Sequence, residues 1–108
     1  MIKMYMNVKG SDTQKVKIET YYSKGGQSWF NGRFEERGYY LSAILVGVTE
    51  RDGYTVESYS IPSSGYKMLI MSATRASKNK EDEADRQALQ CMNVLIDKVC
   101  AECEIEIE

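Results

Sequence analysis

The chain has 108 residues, of which 43% are hydrophobic and 28% are charged, and it contains a single proline. This composition predicts one globular domain and argues against a disordered or fibrous protein. No stretch reaches the roughly 18 apolar residues that span a bilayer, and the first residues lack the apolar core of a signal peptide, so we expect a cytoplasmic protein without a membrane partner. Histidine is absent, which excludes imidazole as a general base, metal ligand or pH switch.

Two segments near the start of the chain predict a β-hairpin. Apolar and polar residues alternate over residues 1–8 and again over residues 15–23, on either side of a turn signal at residues 9–12. This period of two is typical of half-buried strands. A stretch rich in Gly, Asn and Ser follows over residues 24–37, where we expect a loop.

A second hairpin is predicted in the middle of the chain. Residues 38–49 are rich in β-branched and aromatic side chains, and they face residues 54–61 across a turn that contains Asp52 and Gly53. An Asp-Gly pair between two such segments is the strongest short-range hairpin signal. Four antiparallel strands are therefore the smallest sheet that we expect.

The C-terminal part of the sequence favours helices. In helical register several apolar residues share one face, namely Tyr66, Leu69, Ile70, Ala73 and Ala76. We predict a helix over residues 66–74, with a buried strand as the alternative because Met68 and Met71 fall off that face. Residues 77–80 predict a kink or short linker. A further helix is predicted after it, because three acidic residues suited to a helix start are followed, from Ala84 onward, by apolar residues at helical spacing.

Together these elements predict an α+β fold in which one or two C-terminal helices cover one face of an antiparallel sheet of about four strands. We expect a single domain, residues 1–108, with a β-rich part (1–61), a helical part (63–103) and a tail (104–108) that forms coil or a short edge strand. Met68, Met71 and Val94 fall off the main apolar stripes, which fits either a homodimer interface or ordinary filling of the core.

Charge is divided along the chain. Residues 1–80 carry a net charge of +5 and residues 81–108 carry −7, which gives the overall −2. Such a division favours a basic surface for an anionic partner or an acidic element for a basic one. The alternative is an acidic helix that lies on a basic sheet and cancels both fields.

The sequence offers no set of residues suited to catalysis. Cys100 and Cys103 form a C-x-x-C at a helix end, and together with Cys91 they lack a fourth zinc ligand, so we expect reduced cysteines and no metal. Adjacent carboxylates such as Glu35 and Glu36 suit acid–base chemistry, but nothing selects one pair. The Gly-rich stretch 24–28 lacks the spacing of nucleotide-phosphate loops. We therefore predict a protein that is not an enzyme and has no cofactor.

Residues 21–40 combine aromatic and basic side chains. They hold the only Trp, both Phe and four of the eight Tyr, together with three cations. Aromatic rings stack on bases while cations neutralise phosphate, and the same mixture is common in protein interfaces. The alternative is that these rings close one end of the sheet. The candidate binding residues are Lys24, Trp29, Phe30, Arg33, Arg37 and Tyr39.

Two patterns in this region carry a resemblance to a known group of proteins. They are Y-Y-S-K-G-G over residues 21–26 and R-G-Y-Y-L-S over residues 37–42, and S-K-N-K follows at residues 77–80. With these motifs the chain resembles short uncharacterised proteins encoded on integrative elements and prophages of gut Firmicutes, which tend to have Tyr-Phe where this chain has Trp29 and Phe30. The resemblance covers roughly residues 20–80 and implies a small accessory gene of a mobile element, without implying any catalytic residue.

Three functions are compatible with these observations. The first is a non-enzymatic inhibitor of host defence that occupies a host nuclease or effector, or sequesters its nucleotide signal. In that hypothesis the helix acids imitate nucleic-acid phosphates, and these acids are Glu81, Asp82, Glu83 and Asp85. The second is a single-stranded nucleic-acid binder that serves element transfer, and the third is a structural homodimer without a ligand.

Overall fold

The computed structural model describes residues 1–27, 34–59 and 65–108. In chain order its elements are β1 (Lys3–Asn7), β2 (Gln14–Ser23), β3 (Gly26–Gln27), β4 (Phe34–Glu35), β5 (Gly38–Arg51), β6 (Tyr54–Tyr59), β7 (Gly65–Ser72) and α1 (Lys78–Cys103). Within the described residues they form an antiparallel sheet of five strands with α1 packed against it, and a separate two-strand ladder of β3 and β4. The predicted α+β class and the C-terminal helix are confirmed.

β5 is the central strand of the sheet. One of its edges pairs with β2, which in turn pairs with β1 on the outside. Its other edge pairs with β7 over the first half of its length and with β6 over the second half. Because β5 is 14 residues long, it supports two strands placed end to end along one edge.

Both predicted hairpins are present. β1 and β2 pair in antiparallel fashion from Lys3 opposite Glu19 to Asn7 opposite Lys15. The β5–β6 turn holds Asp52 at φ 52° and Gly53 at φ 79°. Two consecutive positive φ angles give a turn whose twist matches that of the strands, which explains the strength of the Asp-Gly signal.

The core lies between α1 and one face of the sheet. The sheet contributes Val16, Ile18, Leu41, Ala43 and Leu45, and the helix contributes Ala88, Met92, Leu95, Ile96 and Val99. These helix positions follow the predicted 3.6-residue spacing. The helix starts earlier than predicted, at Lys78, because the side chain of Ser77 accepts a hydrogen bond from the amide of Lys80 at 3.3 Å and caps the first turn.

The helix predicted over residues 66–74 is wrong, since residues 65–72 form strand β7. The pairing with β5 shifts register between Tyr39 and Tyr40, where Tyr39 faces Met71 and Tyr40 faces Leu69. Ile70 is the extra residue of this bulge, and both Ile70 and Met71 pack toward the core. The bulge interrupts the alternation of apolar residues, so the sequence loses the period of two that marks a strand.

The acidic helix does not lie on the basic face of the sheet. The strand registers place four lysines on the face opposite α1, namely Lys3, Lys15, Lys17 and Lys67. After α1 the chain returns to the end of β1, where Val8 and Ile107 form an isolated bridge, so the tail makes the short edge pairing that its alternation allowed. In the described ranges, no helix combines the length and apolar character that crossing a bilayer requires.

Candidate functional site at the basic end of the sheet

Three strands end at the same place in the sheet. Ser23 at the end of β2 and Ser72 at the end of β7 both lie opposite Gly38, the first residue of β5. The ladder of β3 and β4 follows directly on β2. This geometry brings Lys80 close to Lys24 and Arg37, and we refer to the region that these three cations define as the basic end.

The backbone of the basic end requires glycine at two positions. Gly25 has φ +81°, and a Cβ there would lie 3.0 Å from both Cγ of Arg37 and the carbonyl oxygen of Glu35. A Cβ on Gly38 would collide with the carbonyl oxygen of Met71. The strand ends therefore approach each other more closely than any residue with a side chain allows.

Two neighbouring depressions open at the basic end. One has a volume of about 570 Å³ and is lined by Lys24, Gly25, Gly26, Glu35, Glu36 and Arg37. The other has a volume of about 430 Å³ and is lined by Glu36, Arg37, Ser72, Ala73, Thr74 and Lys80. Arg37 and Glu36 line both, so the Arg37 side chain lies between the two depressions.

Lys24 and Arg37 are exposed cations. Both side chains are exposed, and neither takes part in the ion pairs found within residues 1–27, 34–59 and 65–108. Lys80 is partly buried, and its ammonium donates to the carbonyl oxygen of Arg75 at 3.4 Å. The hydroxyl groups of Ser72 and Thr74 add donors to the second depression. Cations and hydroxyls in one depression suit a phosphate group.

Glu35, which faces the first depression, is held by the protein itself. Its carboxylate accepts hydrogen bonds from Lys67 at 2.7 Å and from the Ser23 hydroxyl at 2.9 Å. The Lys67 ammonium is the main reason that the pKa of Glu35 lies below its ordinary value. A carboxylate with a lowered pKa and occupied lone pairs is a poor general base.

Two stacked tyrosine rings, Tyr21 and Tyr40, lie next to Glu35 and Glu36. The rings of Tyr21 and Tyr40 stack with centroids 5.6 Å apart and planes 16° apart, and the Lys67 ammonium lies 5.8 Å from the Tyr40 centroid. Burial, followed by the charge of Glu35, raises the pKa of Tyr21 far above its ordinary value. Burial also raises the pKa of Tyr40, whose hydroxyl donates to the carbonyl oxygen of Glu36 at 2.7 Å. Both phenols therefore stay protonated, and their hydroxyls donate to the Glu35 carboxylate and to the Glu36 carbonyl oxygen.

The structure brings together only part of the set proposed from sequence. Lys24 and Arg37 line the first depression together. Tyr39 is fully buried beneath the start of α1, where it contacts Ser77 and leaves no ring face for a partner. Trp29, Phe30 and Arg33 lie outside the residues that the structure describes.

The four helix acids do not form a free cluster of negative charge. Asp82 pairs with Lys78 at 3.2 Å, and Glu83 pairs with Arg86 at 2.9 Å. Asp85 lies 3.0 Å from the Thr20 hydroxyl and 3.3 Å from the amino group of Met1. Asp82, Glu83 and Asp85 thus have positively charged partners inside the chain, which makes these acids less similar to a run of phosphates.

The Cys100 thiol is a poor candidate for a reactive nucleophile. Burial, with the nearby charge of Asp97, raises the pKa of the Cys100 thiol, whereas a reactive cysteine needs the opposite shift. Cys91, Cys100 and Cys103 are unpaired. Within the described part of the chain, no group of three or more Cys, Asp or Glu side chains is arranged to hold a metal ion.

Sequence reasoning missed the residues that the second depression gathers from β7 and α1. Ser72, Thr74 and Lys80 reach Arg37 because β7 is a strand beside β5, and the sequence predicted a helix there. The signal that would have found them is the run of four apolar residues 68–71, which fits a buried strand as well as a helix.

Searches for related proteins add no functional assignment. Comparison with protein-family models, with curated proteins and with solved structures found no significant match to this chain. The geometry of the site is therefore the basis for a functional proposal.

Proposed function

We propose that this chain is a non-enzymatic binding protein that holds a phosphate-bearing nucleotide at the basic end. The observation that carries the proposal is the position of Arg37, an exposed cation that lines two adjoining depressions and has Lys24 on one side and Lys80 on the other. In this assignment, Arg37 binds phosphate oxygens through its planar guanidinium, and Lys24 and Lys80 add charge on either side.

The size of the depressions favours a small ligand. Ligand pockets commonly have volumes of roughly 300–1,000 Å³. The two depressions, at about 570 Å³ and 430 Å³, fall in that range. A mononucleotide or a dinucleotide with its phosphates near Arg37 is the class of ligand that this space accepts.

A long single strand is less well supported than a nucleotide. Strand binding needs a continuous track of available cations along a surface. On the open face of the sheet, Lys17 pairs with Glu57 at 3.0 Å and Lys67 pairs with Glu35 at 2.7 Å. These acids divide the positive surface of that face, whereas Lys24 and Arg37 at the basic end are exposed and line one depression together.

The mobile-element resemblance gives the proposal a biological setting. If the chain is an anti-defence protein, sequestration of a host nucleotide signal is the route that the basic end supports. Occupation of a nuclease by the acidic helix is less well supported, since Asp82, Glu83 and Asp85 have partners within the chain.

Isothermal titration calorimetry with three probes tests the proposal. The probes are adenosine triphosphate, a cyclic dinucleotide and a ten-nucleotide single strand. We expect at least one nucleotide to bind with one site per chain and to be recovered unchanged. Arg37→Glu and Lys24→Glu should each weaken binding by at least about tenfold, because each variant replaces attraction to phosphate with repulsion.

Arg51→Glu is the matched control, because Arg51 is an exposed cation at the other end of β5. It makes the same change in net charge and should leave the affinity close to that of the parent. Equal losses of nucleotide affinity in the Arg37→Glu and Arg51→Glu variants would show that binding depends on net charge alone and not on the basic end. Tight binding of the single strand alone, with a steep salt dependence, would replace the nucleotide proposal with the strand-binding one.

A further inference from the structure

The outer face of α1 carries apolar side chains that the core does not use. Leu89 is 58% exposed and Val94 is 53% exposed, although both lie in the middle of the helix. The opposite side of the helix is buried against the sheet by Ala88, Met92 and Leu95. Neither of these two exposed side chains is therefore part of the core.

Charges of opposite sign occur on the same outer face. Arg86 and Asp97 are eleven residues apart, which is about three helical turns, so the two side chains lie on one line along the helix. At about 100° per residue, Leu89 and Val94 lie about 70° to either side of that line. Gln90 and Asn93 occupy the line between the charges, and all six residues are exposed.

This arrangement is complementary to itself when the helix direction is reversed. In an antiparallel pair centred between residues 91 and 92, Arg86 of one copy faces Asp97 of the other, and the two-fold axis repeats the same ion pair at the other end. Gln90 faces Asn93 in this register, and no like charges on the line oppose each other. A parallel pair in register would instead place Arg86 against Arg86.

We propose that the outer face of α1 is a homodimer interface in which two helices pack antiparallel. Each copy contributes the Arg86–Asp97 pair to both ends and Gln90 and Asn93 to the centre, while Leu89 and Val94 flank the line of contact on its two sides. The sheets then lie on the outside of a four-layer dimer. This proposal is independent of the nucleotide site at the basic end.

The internal contact of Arg86 is compatible with this interface. Its guanidinium lies 2.9 Å from Glu83, but the Arg86 side chain is 66% exposed and the Glu83 side chain is 41% exposed. Exposed pairs of this kind contribute little to stability. A guanidinium has five donors, so Arg86 keeps its contact with Glu83 while it binds Asp97 of a second copy.

Charge-swap variants test the interface by sedimentation equilibrium. We expect the parent chain to dimerise, and we expect Arg86→Glu and Asp97→Arg each to raise the dissociation constant by at least about tenfold, because each creates two like-charge contacts per dimer. An equimolar mixture of the two variants should form a heterodimer. In that heterodimer the introduced glutamate meets the introduced arginine at one end, and the unchanged Asp97 meets the unchanged Arg86 at the other. The double variant should also recover the dimer.

Lys98→Glu is the matched control, because Lys98 is exposed and lies about 100° around the helix from Asp97. It should dimerise like the parent, and circular dichroism should show that every variant keeps the fold. A parent chain that stays monomeric overturns the proposal. Single variants that remain dimeric, or a mixture that stays monomeric, overturn it equally.

Discussion

The hydroxyl of Tyr39 donates a hydrogen bond to the carbonyl oxygen of Ser77 at 3.4 Å and accepts one from the Ser77 amide at 3.1 Å. Tyr39 lies in the central strand and is fully buried, and Ser77 is the N-cap of α1. One side chain thus fixes the start of the helix relative to the middle of the sheet. Because Arg37 and Lys80 lie two and three residues from these positions, the same contact sets the geometry of the basic end.

Removal of the Tyr39 hydroxyl should lower stability without removing the site. Tyr39→Phe loses both bonds and leaves the Ser77 amide without its partner, so we expect the free energy of unfolding to fall by about 1–3 kcal/mol. Urea denaturation measures this loss. Tyr54→Phe is the control, because Tyr54 is 75% exposed. Nucleotide affinity should be unchanged in Tyr39→Phe, whereas a large loss of affinity in the folded variant would give Tyr39 the binding role that the sequence suggested.

Gly25→Ala and Gly10→Ala form a matched pair that isolates the role of the Gly25 backbone. Gly10 and Gly25 have φ angles of +80° and +81°, but only the Cβ at position 25 would contact Arg37 and Glu35. Each variant should lose about 1–2 kcal/mol of stability from the left-handed conformation. Only Gly25→Ala should also weaken nucleotide binding, because its methyl group displaces the Arg37 side chain. Equal affinities in the two variants would contradict the placement of the site.

Asp85 should matter for folding more than its neighbour Asp82. The Asp85 carboxylate accepts a hydrogen bond from the Thr20 hydroxyl, and Thr20 is only 3% exposed and also accepts one from the Ile2 amide at 2.7 Å. We expect Asp85→Ala to lower the free energy of unfolding by about 1–3 kcal/mol, since it removes the nearest acceptor of a buried hydroxyl and the partner of the Met1 amino group.

Asp82→Ala should change that free energy by no more than about 0.5 kcal/mol, because its pair with Lys78 is exposed. Thermal and urea unfolding of the two variants measure the difference. Similar losses would show that the acids at the start of α1 act as one cluster.

The Glu35 carboxylate should make stability depend on acidic pH. Its pKa is lowered in the folded protein, mainly by Lys67, so the ionised form stabilises the fold. This contribution is complete above the ordinary pKa of 4.5 and is lost as the pH falls through the lower folded value. The stability difference between the parent and Glu35→Gln should therefore shrink as the pH falls from about 6 to about 3. Urea denaturation at each pH measures this stability difference, and Glu50→Gln, a change at an exposed carboxylate, is the control. A difference between the parent and Glu35→Gln that stays constant with pH would contradict the prediction.

Local patterns determined most of what could be predicted from the sequence. The alternation in β1 and β2, the Asp52-Gly53 turn and the helical spacing after Ala84 each reflect contacts between near neighbours in the chain. For β7 the sequence favoured a helix over the alternative of a buried strand, because the bulge opposite Tyr39 and Tyr40 depends on a partner strand that is distant in sequence. For the same reason, only part of the basic end could be predicted from the sequence. Lys24 and Arg37 lie in one conspicuous segment, while Lys80 joins them only through the pairing of β5 with β7.

Binding of a nucleotide at the basic end can be tested by amide chemical-shift mapping of the nitrogen-15-labelled chain. On titration with a nucleotide, we expect saturable shifts concentrated at Lys24, Gly25, Arg37, Thr74 and Lys80, and we expect Arg37→Glu to abolish them. Shifts centred on the outer face of α1 or along the open face of the sheet, or no saturable shifts for any nucleotide tested, would contradict it.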